Sequence, residues 1–175
     1  MQLTTQRLII RPFTKEDLPQ FLRLLDIPEV EGWRMQKPRA GEFLDWHIHN
    51  YEAMDIVNGI VCFGVFDRAG GQVLGAAGAG EHDDLHEPEL FYNLLPEARG
   101  HGYATEAAAA VTRWALESYP IPYLIATVSA DNASSRRVVE RCGFTFVERR
   151  ELLVHITGKR YQFDYFRIDR DSSSR

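Results

Sequence analysis

Apolar and polar positions alternate along some stretches of this chain and recur every third or fourth residue along others, and the two periods divide it into strands and helices. "RLIIRPF" (7–13) reads as a short strand. The pattern turns helical over about 15–25, opened by "TKED", where Thr14 and Asp17 are spaced to form a capping pair. Pro19 falls early enough in that helix for a loose first turn to carry it. Between 40 and 54, Phe43, Leu44, His47, Ile48, Tyr51 and Met54 share one face, the spacing of an amphipathic helix, and Trp33 lies in the linker before it.

"GIVCFGVFD" and "QVLGAAGAG" have strand character and are joined by "RAGG", so residues 59–80 read as an antiparallel hairpin. A polar loop, "EHDDLHEP", leads to a strand at 89–95, an alanine-rich helix ending near Ser118, and a strand at 123–129. A strand–helix–strand succession crosses over and makes its two strands parallel. "DNASSRRVVERCGF" (131–144) predicts a helix of about ten residues with Asp131 as N-cap and Gly143 as its stop. Strands at about 145–153 and 161–168 flank the turn "ITGK", and 169–175, "DRDSSSR", reads as a disordered polar tail. No repeat and no linker divides the chain, so residues 1–168 are expected to form one domain.

With 175 residues, 45% of them hydrophobic and 26% charged, the chain has enough apolar mass for one globular domain with a full core, so disorder is not its default reading. No apolar run approaches the length of a membrane span, and Arg11 and Pro12 break the N-terminal run before a signal-peptide core could form. The reading is a cytoplasmic protein with no membrane partner. Cys62, in an apolar run, and Cys142, just before a glycine, give neither a disulfide framework nor a metal spacing, and read as reduced core residues. A net charge of −5 argues against a nucleic-acid partner and suits a cationic substrate.

The chemistry concentrates in "EARGHGYATEAAAAVTRWALE" (97–117). An arginine and two glycines stand directly ahead of a helix rich in alanine; glycine is the poorest ordinary helix former and alanine the best, so a bare turn switches into a stable helix. Such a helix start offers unpaired N–H groups and partial positive charge to an anion. The Walker phosphate loop does not fit, since no Lys-Ser or Lys-Thr follows the glycines. The dinucleotide fingerprint meets Gly100 and Gly102 but puts Thr105 at its third small position, with no acidic residue where "YPIPYLI" stands. "HDDLH" (82–86) imitates the zinc motif H-E-x-x-H with Asp for Glu, yet Gly80 and Pro88 bracket it too closely for a helix, so no metal is expected.

Arg99, Gly102 and Ala104 fit the pattern R/Q-x-x-G-x-G/A between strand and helix, which resembles the pyrophosphate loop of the GNAT superfamily of acetyl-CoA-dependent N-acetyltransferases. "DNASSRRVVERCGF" resembles that superfamily's later motif of Asn, Ser and a closing Gly-Phe. "TQRLIIRPFTKEDL", "PELFYNLLPEARGHGYATEA" and "KRYQFDYFRI" are similar to the opening, the central strand and loop, and the last strand of the branch that includes the ribosomal-protein N-terminal acetyltransferases. The resemblance implies an α/β (α+β) GNAT fold: one mixed, mostly antiparallel sheet of about seven strands with a central parallel splayed pair, flanked by about four helices.

It also implies direct transfer of an acetyl group from acetyl-CoA to a primary amine within a ternary complex. The pantetheine arm would lie between 89–95 and 123–129, against backbone near Asn93, Leu94 and Leu95. The amides of Arg99, Gly100, His101, Gly102, Tyr103, Ala104 and Thr105 would hold the pyrophosphate. Asn132 would bind the arm, and Ser135 would hydrogen-bond the sulfur or the leaving thiolate, because the tyrosine many members carry in this helix is missing from 131–143. An alkylamine has a pKa near 10, so a base must take its proton. Glu89 is the first choice, with Glu151, His82 and an ordered water relay behind it. The acceptor, a protein N-terminus or a small-molecule amine, would meet residues 26–58 and 81–88, where Glu29, Glu31, Asp45, Glu52, Asp83 and Asp84 favour a cation. A non-catalytic acyl-CoA-binding module and a donor longer than acetyl are the alternatives. Monomer and homodimer both stay open.

Overall fold

The computed structural model describes residues 1–170. In chain order the elements are β1 Leu3–Thr4, β2 Leu8–Pro12, α1 Leu18–Leu24, α2 Glu31–Met35, α3 Ala40–Ala53, β3 Ile60–Asp67, β4 Val73–Glu81, β5 Pro88–Leu94, α4 Tyr103–Ser118, β6 Tyr123–Ser129, α5 Ala133–Arg141, β7 Thr145–Val154 and β8 Lys159–Asp169. The strands form one sheet in the order β1-β2-β3-β4-β5-β6-β8-β7. Every neighbouring pair is antiparallel except β5 and β6.

The sheet has eight strands where the sequence predicts about seven, and five α-helices where it predicts about four. The additions are β1, of two residues, and α2, of five, which takes Trp33 out of the expected linker. Elements this short complete no period that a pattern could reveal. The helix expected over 15–25 starts as a 3-10 turn, Lys15–Asp17, and becomes α1 with Pro19 in its first turn. Asp17 Oδ2 accepts from the Thr14 amide at 2.8 Å, and its carboxylate takes two hydrogen bonds from Arg11, at 2.7 and 2.9 Å.

At α5 the cap is Asn132, not Asp131. Asn132 Oδ1 accepts from the Ser135 amide at 3.0 Å, while Asp131 is drawn back to the Ser129 hydroxyl at 2.6 Å. β8 runs to Asp169, and the Arg170 amide donates to Pro122 O at 3.0 Å, so the structure continues past the expected boundary at 168. Residues 171–175 of the expected tail lie outside the described residues.

Two apolar layers hold the sheet. Ala107, Ala108, Val111, Trp114 and Ala115 of α4 pack with Phe63, Ala77, Leu90 and Val128 in one cluster. Phe13, Phe21, Leu24 and Leu44 pack with Cys62, Phe66 and Ala76 in the other. The alanines that make α4 a strong helix also let it lie close to β4, whose middle is glycine and alanine. Each fully buried Phe or Leu contributes about 1.5–3 kcal/mol.

β5 and β6 are in register only at Glu89 and Ile125. Beyond that pair they part, while β4 continues to pair with β5 as far as Leu94 and β8 with β6 as far as Ser129. The sheet therefore opens a gap at its centre. Among the described residues no helix is long and apolar enough to cross a membrane.

Candidate active site

The gap widens into a cavity of about 460 Å3. Tyr92, Asn93 and Leu94 of β5 form one wall, the stretch from Arg99 to Thr105 its end, and Asn132, Ser134, Ser135, Arg137, Val138 and Arg141 of α5 the other wall. Ile27, Glu29 and Val30, between α1 and α2, close it from above. Of the residues singled out from sequence, Asn93, Leu94, Arg99, Gly100, Gly102, Tyr103, Ala104, Thr105, Asn132 and Ser135 line this one space.

At its end the chain makes the bare turn anticipated. Gly100 and Gly102 have φ of +80° and +81°, the left-handed region where a Cβ is costly. The first amide that α4 engages is that of Glu106, on Gly102 O at 3.1 Å, so the amides of Tyr103, Ala104 and Thr105 have no acceptor within the helix. A strap holds this turn from outside: Arg7 donates from Nη1 to His101 O at 2.8 Å and pairs with Glu106 at 2.7 Å, and Glu106 also takes the Thr5 hydroxyl at 2.6 Å.

Three predicted residues are elsewhere. Leu95 is buried, and its amide donates to Leu74 O at 2.9 Å, on the β4 side. By strand alternation the backbone groups of Asn93 face β4 as well, and those of Tyr92 and Leu94 face the gap, which shifts the free edge by one residue from the expected 93–95. His101 is exposed and its ring stacks on Tyr103 at 5.6 Å. Glu89 lies where β5 and β6 part and does not line the cavity. Its Oε1 accepts from the Thr127 amide at 2.9 Å and from the Thr127 hydroxyl, filling the place a β5 carbonyl would take in a continuing ladder. Burial raises the Glu89 pKa above the ordinary carboxylate range, and Asp83 adds to the rise, against the pull of His82 and the two Thr127 donors.

Arg99 is committed. It donates to both oxygens of Glu29 at 2.9 Å and to Leu94 O at 3.1 and 3.2 Å. Hydrogen bonds from Arg99 hold the Glu29 carboxyl down at about 2. Arg137 and Arg141, one helical turn apart on α5, have no ion-pair partner among the described residues and give the cavity a cationic rim. Asn132 Oδ1 is spent on the cap and on the Ser134 hydroxyl at 3.0 Å, leaving its amide nitrogen as donor.

Sequence reasoning missed Tyr92, whose Oη stands 2.7 Å from Ser135 Oγ. Arg7 and Glu29 were also missed as neighbours of the loop; no spacing signals a contact across some seventy to a hundred positions. The "HDDLH" loop folds on itself: His82 Nδ1 accepts from the amides of Asp84 and Leu85 at 3.0 and 3.2 Å, and His86 meets Glu81 at 2.7 Å. Among the described residues no three His, Cys, Asp or Glu side chains gather in a way that could hold a metal ion.

A splayed parallel pair with a glycine turn and helix start at its mouth is an arrangement with known counterparts. Residues 7–145 match the model of the Acetyltransferase (GNAT) domain. The chain belongs to the GNAT acetyltransferase family. No curated protein matches it closely. Among solved structures, a GNAT-family acetyltransferase from Bacillus anthracis is 19% identical with a TM-score of 0.78, covering 98% of this chain and 99% of that one. An acetyltransferase from Agrobacterium tumefaciens is 26% identical with a TM-score of 0.71, covering 96% and 94%. RimL, a ribosomal L7/L12 alpha-N-protein acetyltransferase in complex with coenzyme A, is 13% identical with a TM-score of 0.77, covering 98% and 99%. Membership fixes the acyltransferase class of this GNAT protein; the roles of its cavity residues rest on their chemistry.

Proposed function

We propose that this GNAT protein is a cytoplasmic N-acetyltransferase that passes an acetyl group from acetyl-CoA to a primary amine, an α-amino group of a protein or a small-molecule amine. One observation carries the reading: unpaired amides of a helix start, the open edge of β5 and the Ser135 hydroxyl, from three separate elements, line a single cavity. Acetyl-CoA supplies an activated thioester and an anionic diphosphate. The residues fit it. The amides of 103–105 and the positive end of α4 receive the diphosphate, beside the glycine turn of Gly100 and Gly102 that lines the same cavity. Tyr92 O, facing the gap, accepts from an amide of the pantetheine arm and the Leu94 amide donates to one of its carbonyls, as strand neighbours would, while Leu94 O stays with Arg99. Asn132 adds a donor.

Ser135 donates to the sulfur, and more strongly to the thiolate as charge builds there. Glu89 serves as the base for the amine. Its Oε2 has no hydrogen-bond partner among the described residues, and burial makes it a better proton acceptor than a solvated carboxylate. The loop of residues 81–88, directly ahead of Glu89, carries Glu81, Asp83, Asp84 and Glu87, a composition that suits a cationic acceptor.

The test follows thiol release from acetyl-CoA over spermidine, an aminoglycoside, amino-acid amides and short peptides with free N-termini. Acceptor-dependent release is expected, falling about 10²-fold in Glu89→Gln with acetyl-CoA binding retained. Tight binding without acceptor-dependent release would instead make the chain an acyl-CoA-binding module, and faster release from propionyl- or succinyl-CoA would reassign the donor.

A further inference from the structure

The helix that carries Ser135 has no tyrosine between 131 and 143, yet a phenol stands beside that serine. It comes from the opposite wall. Tyr92 on β5 reaches across the gap, with its Oη 2.7 Å from Ser135 Oγ and 3.2 Å from Ser135 O. Both contacts go to one residue, and they are the only hydrogen bonds of this hydroxyl among the described residues.

We infer that Tyr92 is a positioning residue for the transfer: by donating to Ser135 Oγ it turns the serine's own hydrogen into the cavity, toward the sulfur of the thioester. The inference rests on the N-acetyltransferase reading given above. A serine hydroxyl has one hydrogen and two lone pairs, and it rotates to suit its surroundings. In the first turn of a helix its usual resting place is a backbone carbonyl or solvent. A neighbour that donates to Oγ fixes the rotor, because the serine can no longer spend its hydrogen in that direction.

Either oxygen could donate in the Oγ pair, and two features favour the phenol. The phenol has one hydrogen for two contacts; the Oγ contact has the length of a well-formed O–H···O bond and the carbonyl contact is longer than that range, so that hydrogen is placed on Oγ and the carbonyl is treated as a secondary contact. A phenol is also a better donor and a poorer acceptor than an aliphatic alcohol, since its lone pair is shared with the ring. The chain Tyr92 to Ser135 to sulfur then polarises in one direction, each bond strengthening the next as negative charge gathers on sulfur.

Tyr92 keeps its proton throughout. Burial pushes its hydroxyl up to about 12, against the lowering effect of the Ser135 bond, and a thiol titrates near 8.5. Transfer from the phenol to the thiolate is therefore uphill. As the carbon–sulfur bond breaks, the electron pair goes to sulfur, which departs as an anion held by Ser135. The proton lost by the amine leaves through the base, and no proton is drawn from Tyr92.

The experiment is a double-mutant cycle, read with acetyl-CoA and the most active amine of the panel. Tyr92→Phe keeps the ring in its packing and removes only the hydroxyl. It is expected to lower kcat about tenfold, with KM for acetyl-CoA within about twofold and the melting temperature unchanged. In a Ser135→Ala background the same substitution is expected to change kcat by less than about twofold, while in Ser135→Thr, which keeps the hydroxyl, it again costs about tenfold. Tyr92→Leu, as a second variant, is expected to show the same dependence on residue 135. An unchanged kcat in Tyr92→Phe, or an equal loss in the Ser135→Ala background, would overturn the inference and leave the transferase reading intact. Absence of acceptor-dependent thiol release in the unmutated protein would overturn that reading and this inference with it.

Discussion

His47 sits among aromatic rings, 4.6 Å from Phe43, 4.9 Å from Trp46 and 5.6 Å from Trp33, with neither ring nitrogen hydrogen-bonded among the described residues. Burial lowers its pKa from 6.5 to about 4, so the folded protein holds it neutral while the unfolded chain binds a proton at higher pH. Between those values the unfolded state takes up the extra proton, and stability falls as the pH drops from 6.5 toward 4, by about 3 kcal/mol in all. Urea midpoints across this window are expected to show the fall, and His47→Leu to remove most of it. At the mouth of the cavity, Glu29 holds Arg99 at two points. If the diphosphate of coenzyme A enters there as proposed, it competes with that carboxylate for the guanidinium, and Glu29→Gln is expected to tighten coenzyme A binding several-fold by calorimetry; weaker binding would show that Glu29 shapes the cavity instead. At this scale the sequence was informative where a residue acts through its own backbone. Gly102 and Gly143 declare themselves because each has positive φ, at +81° and +92°. Tyr92 did not, because its place beside Ser135 depends on two strands parting.

Among the elements, the turn into α4 is the one on which the proposed coenzyme A site depends. Gly102 has φ of +81°, and a Cβ built there would meet the Arg7 guanidinium at 3.3 Å. Gly102→Ala therefore strains the backbone by about 1–2 kcal/mol and crowds the strap that holds the loop. A melting temperature lower by roughly 2–8 °C is expected, together with coenzyme A affinity reduced about tenfold or more. Long elements with a clear period were legible: the sequence places β6 at 123–129, where it is found, and puts the alanine helix and the hairpin of β3 and β4 within a residue or two of their observed ends. The two-residue β1 and five-residue α2 were not, since neighbours rather than their own pattern stabilise them. The cap of α5 moved by one residue because Asp131 and Asn132 are both good caps, and Asp131 finds Ser129 instead.

For the molecule as a whole, the parallel relation of β5 and β6 follows from the helix between them, whereas the placement of β8 between β6 and β7 has no local signature. The cavity inherits that mixture. Its floor was legible as a glycine turn, and its walls came from packing. The sheet consists of β1 to β5 on one side and β6, β8 and β7 on the other, joined in backbone register at the single pair Glu89 and Ile125 and by the Glu89 carboxylate on Thr127. Amide deuterium exchange offers a direct view of that seam. In the free protein the inner-edge amides of Tyr92 and Leu94 should exchange within seconds, while those shared by β3 and β4 persist for hours. Saturating coenzyme A should protect the former and leave the latter as they were, since the ligand's arm would occupy the place of a missing ninth strand.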